Sequence, residues 1–137
     1  MLISKKADVG LRVIRYLAKN GKSHAQQIAD EENISQFFVQ NVGSMLCRAG
    51  ILQSFRGAKN NANAGYILFK ALEDISLYDV IMAINGPIHI SQCIQDGHAC
   101  EREASTVSCN IYDGIMDIQN GINEMLKKLT LDKMLKV

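Results

Sequence analysis

Long apolar runs, phosphate-cradling glycine loops and closely paired cysteines are all missing from this chain. The opening Met1-Leu2-Ile3-Ser4-Lys5-Lys6-Ala7-Asp8 meets its lysines almost at once. Neither a secretory h-region nor a membrane span is built there, so a cytoplasmic protein without membrane association is expected. The absence of a nucleotide-binding glycine loop and of an evident nucleophile–base pair argues against an enzyme. No Cys-x2-Cys pair occurs, which excludes the knuckles of a zinc ribbon. Charge of one sign is scarcely in excess, at a net +1, so the distribution of charge carries more information than its total.

What is present suits one compact globular domain with an appended arm: 137 residues, 47% of them hydrophobic and 21% charged. Residues 1 to 70 hold ten Lys/Arg against four Asp/Glu, whereas residues 71 to 137 hold five against ten. The basic half is the candidate for phosphate contact, because each neutralised phosphate releases condensed counterions.

Within that half, Ala7, Leu11, Ile14, Leu17 and Ala18 recur at helical spacing until Asn20-Gly21 stops the run. Ser23-His-Ala-Gln26 has the form of a capping box and predicts a second helix from about His24 to Glu31. Asn33 suits a left-handed turn, Ile34 a core plug and Ser35 the cap of a third helix, which together make a helix-turn-helix. Along that third helix Phe38, Val42, Met45, Leu46 and Ala49 fall on one side, and Phe37, Asn41, Ser44 and Arg48 on the other, flanked by Gln36 and Gln40. Gln and Asn pair with adenine in the major groove, Ser donates or accepts, and an aromatic edge meets a thymine methyl. Ser35, Gln36, Phe37, Gln40, Asn41 and Ser44 are therefore candidate contacts to double-stranded DNA. Gly50 is placed to cap the helix, and Ile51–Phe55 and Tyr66–Phe69 read as two strands around a small, polar, basic tip. A hairpin there is a wing, from which Arg56 and Lys59 would reach phosphates or the minor groove.

In the acidic half, Ser76-Leu77-Tyr78-Asp79 is a second capping box, opening a short helix that Asn85-Gly86-Pro87 ends. From Ile111 onward, Ile115, Ile118, Ile122, Met125 and Leu129 form a seam suited to another long helix, with Gly114 and Gly121 beside it. A homodimer is expected, placing two recognition helices on a palindromic operator; the alternative is that the helix folds back on its own domain. The expected organisation is mainly α with a small β wing: a winged helix-turn-helix domain over 1–86, a cluster-binding loop over 87–109, and a dimerisation helix with C-terminal tail over 110–137.

Four cysteines in a reducing compartment are poor disulfide candidates, and a local trio favours metal ligation or redox chemistry. The spacing Cys93-x6-Cys100-x8-Cys109 suits a loop wrapped around an inorganic cluster whose irons take thiolates from several directions. A fourth ligand is then wanted. Cys47, at the edge of the inward face of helix three, reads better as a packing residue. His98, Glu101 and Glu103 lie in the loop, His24 and His89 outside it, and Asp8 in the first helix, where an i to i+4 pair with Arg12 is its ordinary explanation. Two other regulators fit the same residues: a zinc-stabilised protein using the three cysteines and His98, and a metal-free thiol switch.

Taken jointly, Ser4-Lys5-Lys6-Ala7-Asp8-Val9-Gly10-Leu11-Arg12, Ile34-Ser35 through Leu46-Cys47-Arg48-Ala49-Gly50-Ile51-Leu52, Phe55-Arg56-Gly57-Ala58-Lys59 closing at Gly65-Tyr66, and the cysteine loop resemble the Rrf-type family of bacterial winged-helix regulators, which includes IscR-like and NsrR-like iron–sulfur proteins. The resemblance spans nearly the whole chain. It implies a homodimeric transcription factor, a repressor by preference, whose cluster state sets operator affinity in response to nitric oxide, redox or iron–sulfur status. It places Gln40 where IscR-like proteins carry a recognition-helix glutamate, and Arg56 at the wing arginine of the minor groove. It makes Cys93, Cys100 and Cys109 cluster ligands. Tyr112 stands where IscR-like proteins carry a ligating histidine, whereas Asp8 matches the aspartate that NsrR-like proteins use from the other subunit. The resemblance therefore implies Asp8 as fourth ligand, of a 4Fe-4S rather than a 2Fe-2S cluster. Both cysteine gaps are longer than the common family spacing, and the wing tip Asn60-Asn61-Ala62-Asn63-Ala64 is expanded.

Overall fold

The computed structural model describes residues 1–56, 64–95 and 110–137. Lys59, His98, Cys100, Glu101, Glu103, Cys109 and residues 57–63 of the wing lie outside the described residues. The elements run α1 (Lys5–Asn20), β1 (Ser23–His24), α2 (Ala25–Glu32), α3 (Gln36–Arg48), β2 (Leu52–Phe55), β3 (Gly65–Leu68), a 3-10 turn (Leu72–Asp74), α4 (Leu77–Asn85), a second 3-10 turn (Gln92–Ile94), α5 (Asn110–Lys128) and α6 (Leu131–Leu135). Helices with one small antiparallel sheet, ordered β1-β3-β2, form the expected winged helix-turn-helix.

Local hydrogen bonds account for most element boundaries. The Ser4 hydroxyl accepts the Ala7 amide at 3.1 Å to start α1, and the Ser35 hydroxyl accepts the Phe38 amide at 3.2 Å to start α3. At α4 both halves of the expected capping box form: the Asp79 amide donates to the Ser76 hydroxyl and the Ser76 amide to the Asp79 carboxylate. Asn33 takes the left-handed conformation at φ 55°, turning the chain between α2 and α3 without a glycine.

The capping box expected at Ser23 does not form. Ser23 is buried in β1, paired with Tyr66, and its hydroxyl donates instead to the Gly21 carbonyl at 2.9 Å. The second helix consequently begins at Ala25, whose amide is taken by the Ala64 carbonyl at 3.0 Å. A strand partner far downstream outcompetes a cap that the local sequence offers.

The core gathers α1, α2, α3 and α4 with the inner face of the sheet. Ile14, Ile28, Leu46, Ile51, Ile75, Ile81 and Leu131 are among its largest fully buried side chains, each contributing about 1.5–3 kcal/mol relative to exposure. The buried stripe of α3 is Val39, Val42, Gly43 and Leu46. This is rotated from the expected face: Phe38 and Met45 are only half-buried and Ala49 is exposed. Gly43 causes the shift, since a Cβ there would strike the Tyr66 ring of β3. The α3 backbone thus lies directly on the sheet.

The C-terminal end returns to the same core. The Leu77 amide donates to the Leu129 carbonyl and the Leu131 amide to the Ile75 carbonyl, bridging Ser76 and Thr130. Leu126 and Leu131 are buried, and Ile122 and Leu129 pack against the core edge. Ile111, Ile118 and Met125 remain outward at 59, 58 and 71% exposure. Among the described residues, nothing lies within 4 Å of a Cβ added at their neighbours Gly114 and Gly121.

Candidate nucleic-acid interface and cysteine loop

The helix-turn-helix presents α3 with its apolar stripe inward and its polar side out. Phe37 stands 75% exposed on the outward side of α3. Ser44 and Arg48 are exposed beside it, while Gln36, Gln40 and Asn41 are half-buried with their edges accessible. The Tyr66 hydroxyl donates to the Gln40 carbonyl at 3.4 Å, fixing the helix to the sheet. Burial pushes the Tyr66 phenol above its ordinary value, so it stays protonated as that donor. Ser35 is exposed, with its oxygen already engaged in the cap. Six of the eight expected contacts thus lie along or at the head of one helix. Arg56 is exposed where β2 runs into the wing.

Electrostatics favour an anionic partner on this side. No Asp or Glu occurs between Glu32 and Glu73, a stretch that contains Arg48, Arg56, Lys59 and Lys70. The nearest carboxylate before it, Glu32, is held by Arg12 at 3.7 Å and Arg15 at 3.4 Å. These contacts tie α1 to the end of α2, and they replace the Asp8–Arg12 pair that the sequence suggests. Asp8 is exposed and forms no ion pair among the described residues.

Cys93 is exposed on the 3-10 turn that leads toward Cys100 and Cys109. Gln119 fixes this segment, a role not apparent in the sequence. Buried at 4% exposure, its side-chain oxygen accepts the Ile90 amide at 2.9 Å and its nitrogen donates to Asn123 at 3.0 Å. The start of the cysteine loop is thereby fastened to the middle of α5. A cleft of about 370 Å³ lies at this junction, and Tyr112 helps to line it. Cys47 is half-buried against the core; burial pushes its thiol up, opposed by a hydrogen bond with Ser54. Among the described residues no three candidate metal ligands gather, and no helix is long and apolar enough to cross a membrane.

Comparison with known proteins places these features among transcriptional regulators. The family model Rrf2, described as an iron-dependent transcriptional regulator, matches residues 3–137. The HTH-type transcriptional regulator CymR of Bacillus subtilis is 29% identical over 135 residues, covering 96% of this chain and 88% of that protein. The HTH-type regulator IscR of Pectobacterium carotovorum is 23% identical over 117 residues, covering 85% and 66%. Among solved structures, a transcriptional regulator from Listeria innocua superposes with a TM-score of 0.76 at 27% identity, covering 98% of this chain and 85% of that one. The structure of B. subtilis CymR, described as the global cysteine regulator, gives a TM-score of 0.70 at 27% identity with 99% and 97% coverage.

Proposed function

The chain belongs to the Rrf2 family of transcriptional regulators, and from that premise we propose that it is an iron–sulfur-dependent, homodimeric DNA-binding repressor responsive to nitric oxide, redox or iron–sulfur status. The observation that carries this reading is Cys93, exposed on a turn fastened to α5 and followed by Cys100 and Cys109, in a chain whose other end is a winged helix-turn-helix.

Cys93, Cys100 and Cys109 would hold the cluster, with Asp8 of the partner subunit as fourth ligand. The donor chemistry fits: Cys93 is an accessible thiol and Asp8 an accessible carboxylate with no ion pair among the described residues. Three thiolates and one harder oxygen suit a 4Fe-4S cluster with one weakly held corner. When bound, the group would supply iron reactive toward nitric oxide and oxygen. The protein's part is mechanical. Asp8 sits in the first turn of α1, and Arg12 and Arg15 on the same helix grip Glu32 at the end of α2. A displacement of α1 is therefore passed to the helix that seats α3. The outward Ile111, Ile118 and Met125 of α5 offer the dimer seam. Two-fold pairing would set two copies of α3 on a palindromic operator, one DNA turn or a multiple apart. Such a device works only through different DNA affinities in its two states.

Anaerobic purification with iron and sulfide analysis, visible spectroscopy and operator binding before and after nitric oxide tests the reading. A coloured protein whose spectrum and DNA affinity both change in D8A supports it. An unchanged D8A spectrum removes Asp8 from the ligand set, and an iron-free anaerobic preparation overturns the cluster. The likeness to CymR favours a second reading, a thiol-responsive regulator acting through Cys93, Cys100 or Cys109 without a cluster. Colourless protein whose DNA binding follows reversible cysteine oxidation would support it, whereas stoichiometric zinc would indicate a zinc-stabilised regulator.

A further inference from the structure

We propose that Lys22 is an additional DNA phosphate contact, held at the foot of the wing by the Phe55 ring next to Arg56. The assignment rests on the DNA interface described above.

The backbone on both sides of Lys22 is fixed. Gly21, at φ 72°, closes α1, and the Ser23 hydroxyl returns a hydrogen bond to the Gly21 carbonyl while Ser23 pairs with Tyr66. The register sets Ser23 opposite Tyr66 and Phe55 opposite Gly65. The Lys22 ammonium nevertheless lies 4.2 Å from the centre of the Phe55 ring. The two side chains therefore meet across β3: the Phe55 ring lies over Gly65, and the exposed Lys22 reaches it there.

Gly65 makes this meeting possible, because a Cβ there would strike the Phe55 ring and the Ser23 carbonyl. The His24 ring packs edge-on against Phe55 at 5.4 Å, so the ring that holds the ammonium is itself held. Among the described residues no carboxylate pairs with Lys22. After Asp30, Glu31 and Glu32 at the end of α2, the chain carries no carboxylate from Asn33 to Leu72. Arg56 follows Phe55 where β2 ends, so the ring that holds Lys22 stands at the root of the wing. A pre-positioned ammonium loses less freedom on meeting a phosphate than a free lysine does. A lysine that only covered Phe55 would leave DNA binding untouched, and that difference can be measured.

The experiment titrates the full chain with a mixed-sequence duplex of about three helical turns across a salt series, since such binding reads phosphate contacts without an identified operator. K22Q is expected to weaken binding several-fold and to lower the slope of log K against log salt by about 0.9 per bound chain. K22R should restore the slope. F55L should weaken binding less than K22Q and keep the slope, because the charge remains but is no longer held. Wild-type behaviour in K22Q, with R56Q weakened, overturns this assignment alone, as does K22R behaving like K22Q. F55L behaving like wild type removes the ring from the assignment. Failure of the wild-type chain to bind the duplex overturns the interface reading on which it rests.

Discussion

Adding one methyl group at Gly43 should destabilise the protein, although glycine-to-alanine changes inside helices ordinarily stabilise by about 1 kcal/mol. The added Cβ would meet three atoms at the far end of the Tyr66 ring, two of them at 2.8 Å. Tyr66 is buried at 7% exposure, paired on both edges of β3, and hydrogen-bonded to Gln40, so its ring has nowhere to swing. Overpacking of this kind costs about 1–3 kcal/mol. Set against the propensity gain, the net loss is about 1 kcal/mol, or a few degrees in Tm for a chain of this size. Urea and thermal unfolding followed by circular dichroism would measure it, with G114A as internal control. Among the described residues of one protomer nothing lies within 4 Å of an added Cβ at Gly114, so the isolated protomer of that variant should gain up to about 1 kcal/mol. G43A as stable as wild type would refute the claim that the α3 backbone rests on the Tyr66 ring.

Three further outcomes are expected. S76A removes the acceptor for the Asp79 amide and should cost about 1 kcal/mol; a loss under a few tenths, read by urea unfolding, would mean the cap is redundant. L131A empties a fully buried site in the C-terminal return and should cost about 2–5 kcal/mol, whereas a small loss would show α6 to be dispensable for stability. Because burial raises the Cys47 thiol, less of it is thiolate at any pH below its pKa. Alkylation near pH 8, mapped by mass spectrometry, should therefore modify exposed Cys93 well before Cys47; equal rates would contradict the burial argument.

The legible parts of the fold are those whose interactions close within a few residues. The Ser35 cap, the Ser76–Asp79 box and the left-handed Asn33 each depend on a side chain and an adjacent amide or turn. The Ser23 capping box carries an equally good local signal yet fails, because the amides of that segment find partners on β3. The candidate interface divides the same way. Phe37 and Ser44 are exposed as their helical positions suggest, but the inward stripe turns toward Val39 and Gly43 because Tyr66 arrives from a distant strand. Gln119 is an ordinary polar residue in a helix until the loop bearing Ile90 folds onto it.

The order of side chains alone determined where most helices start and stop, which half of the chain is cationic, and that three thiols share one short stretch, since these are matters of neighbour-to-neighbour chemistry. Only the folded chain decided which edge of α3 is buried, that Arg12 and Arg15 hold Glu32, that Lys22 and Phe55 meet across β3, and that α6 closes the core. Each of those depends on residues far apart in sequence, brought together when apolar surface leaves water, and no local pattern encodes the partner's identity.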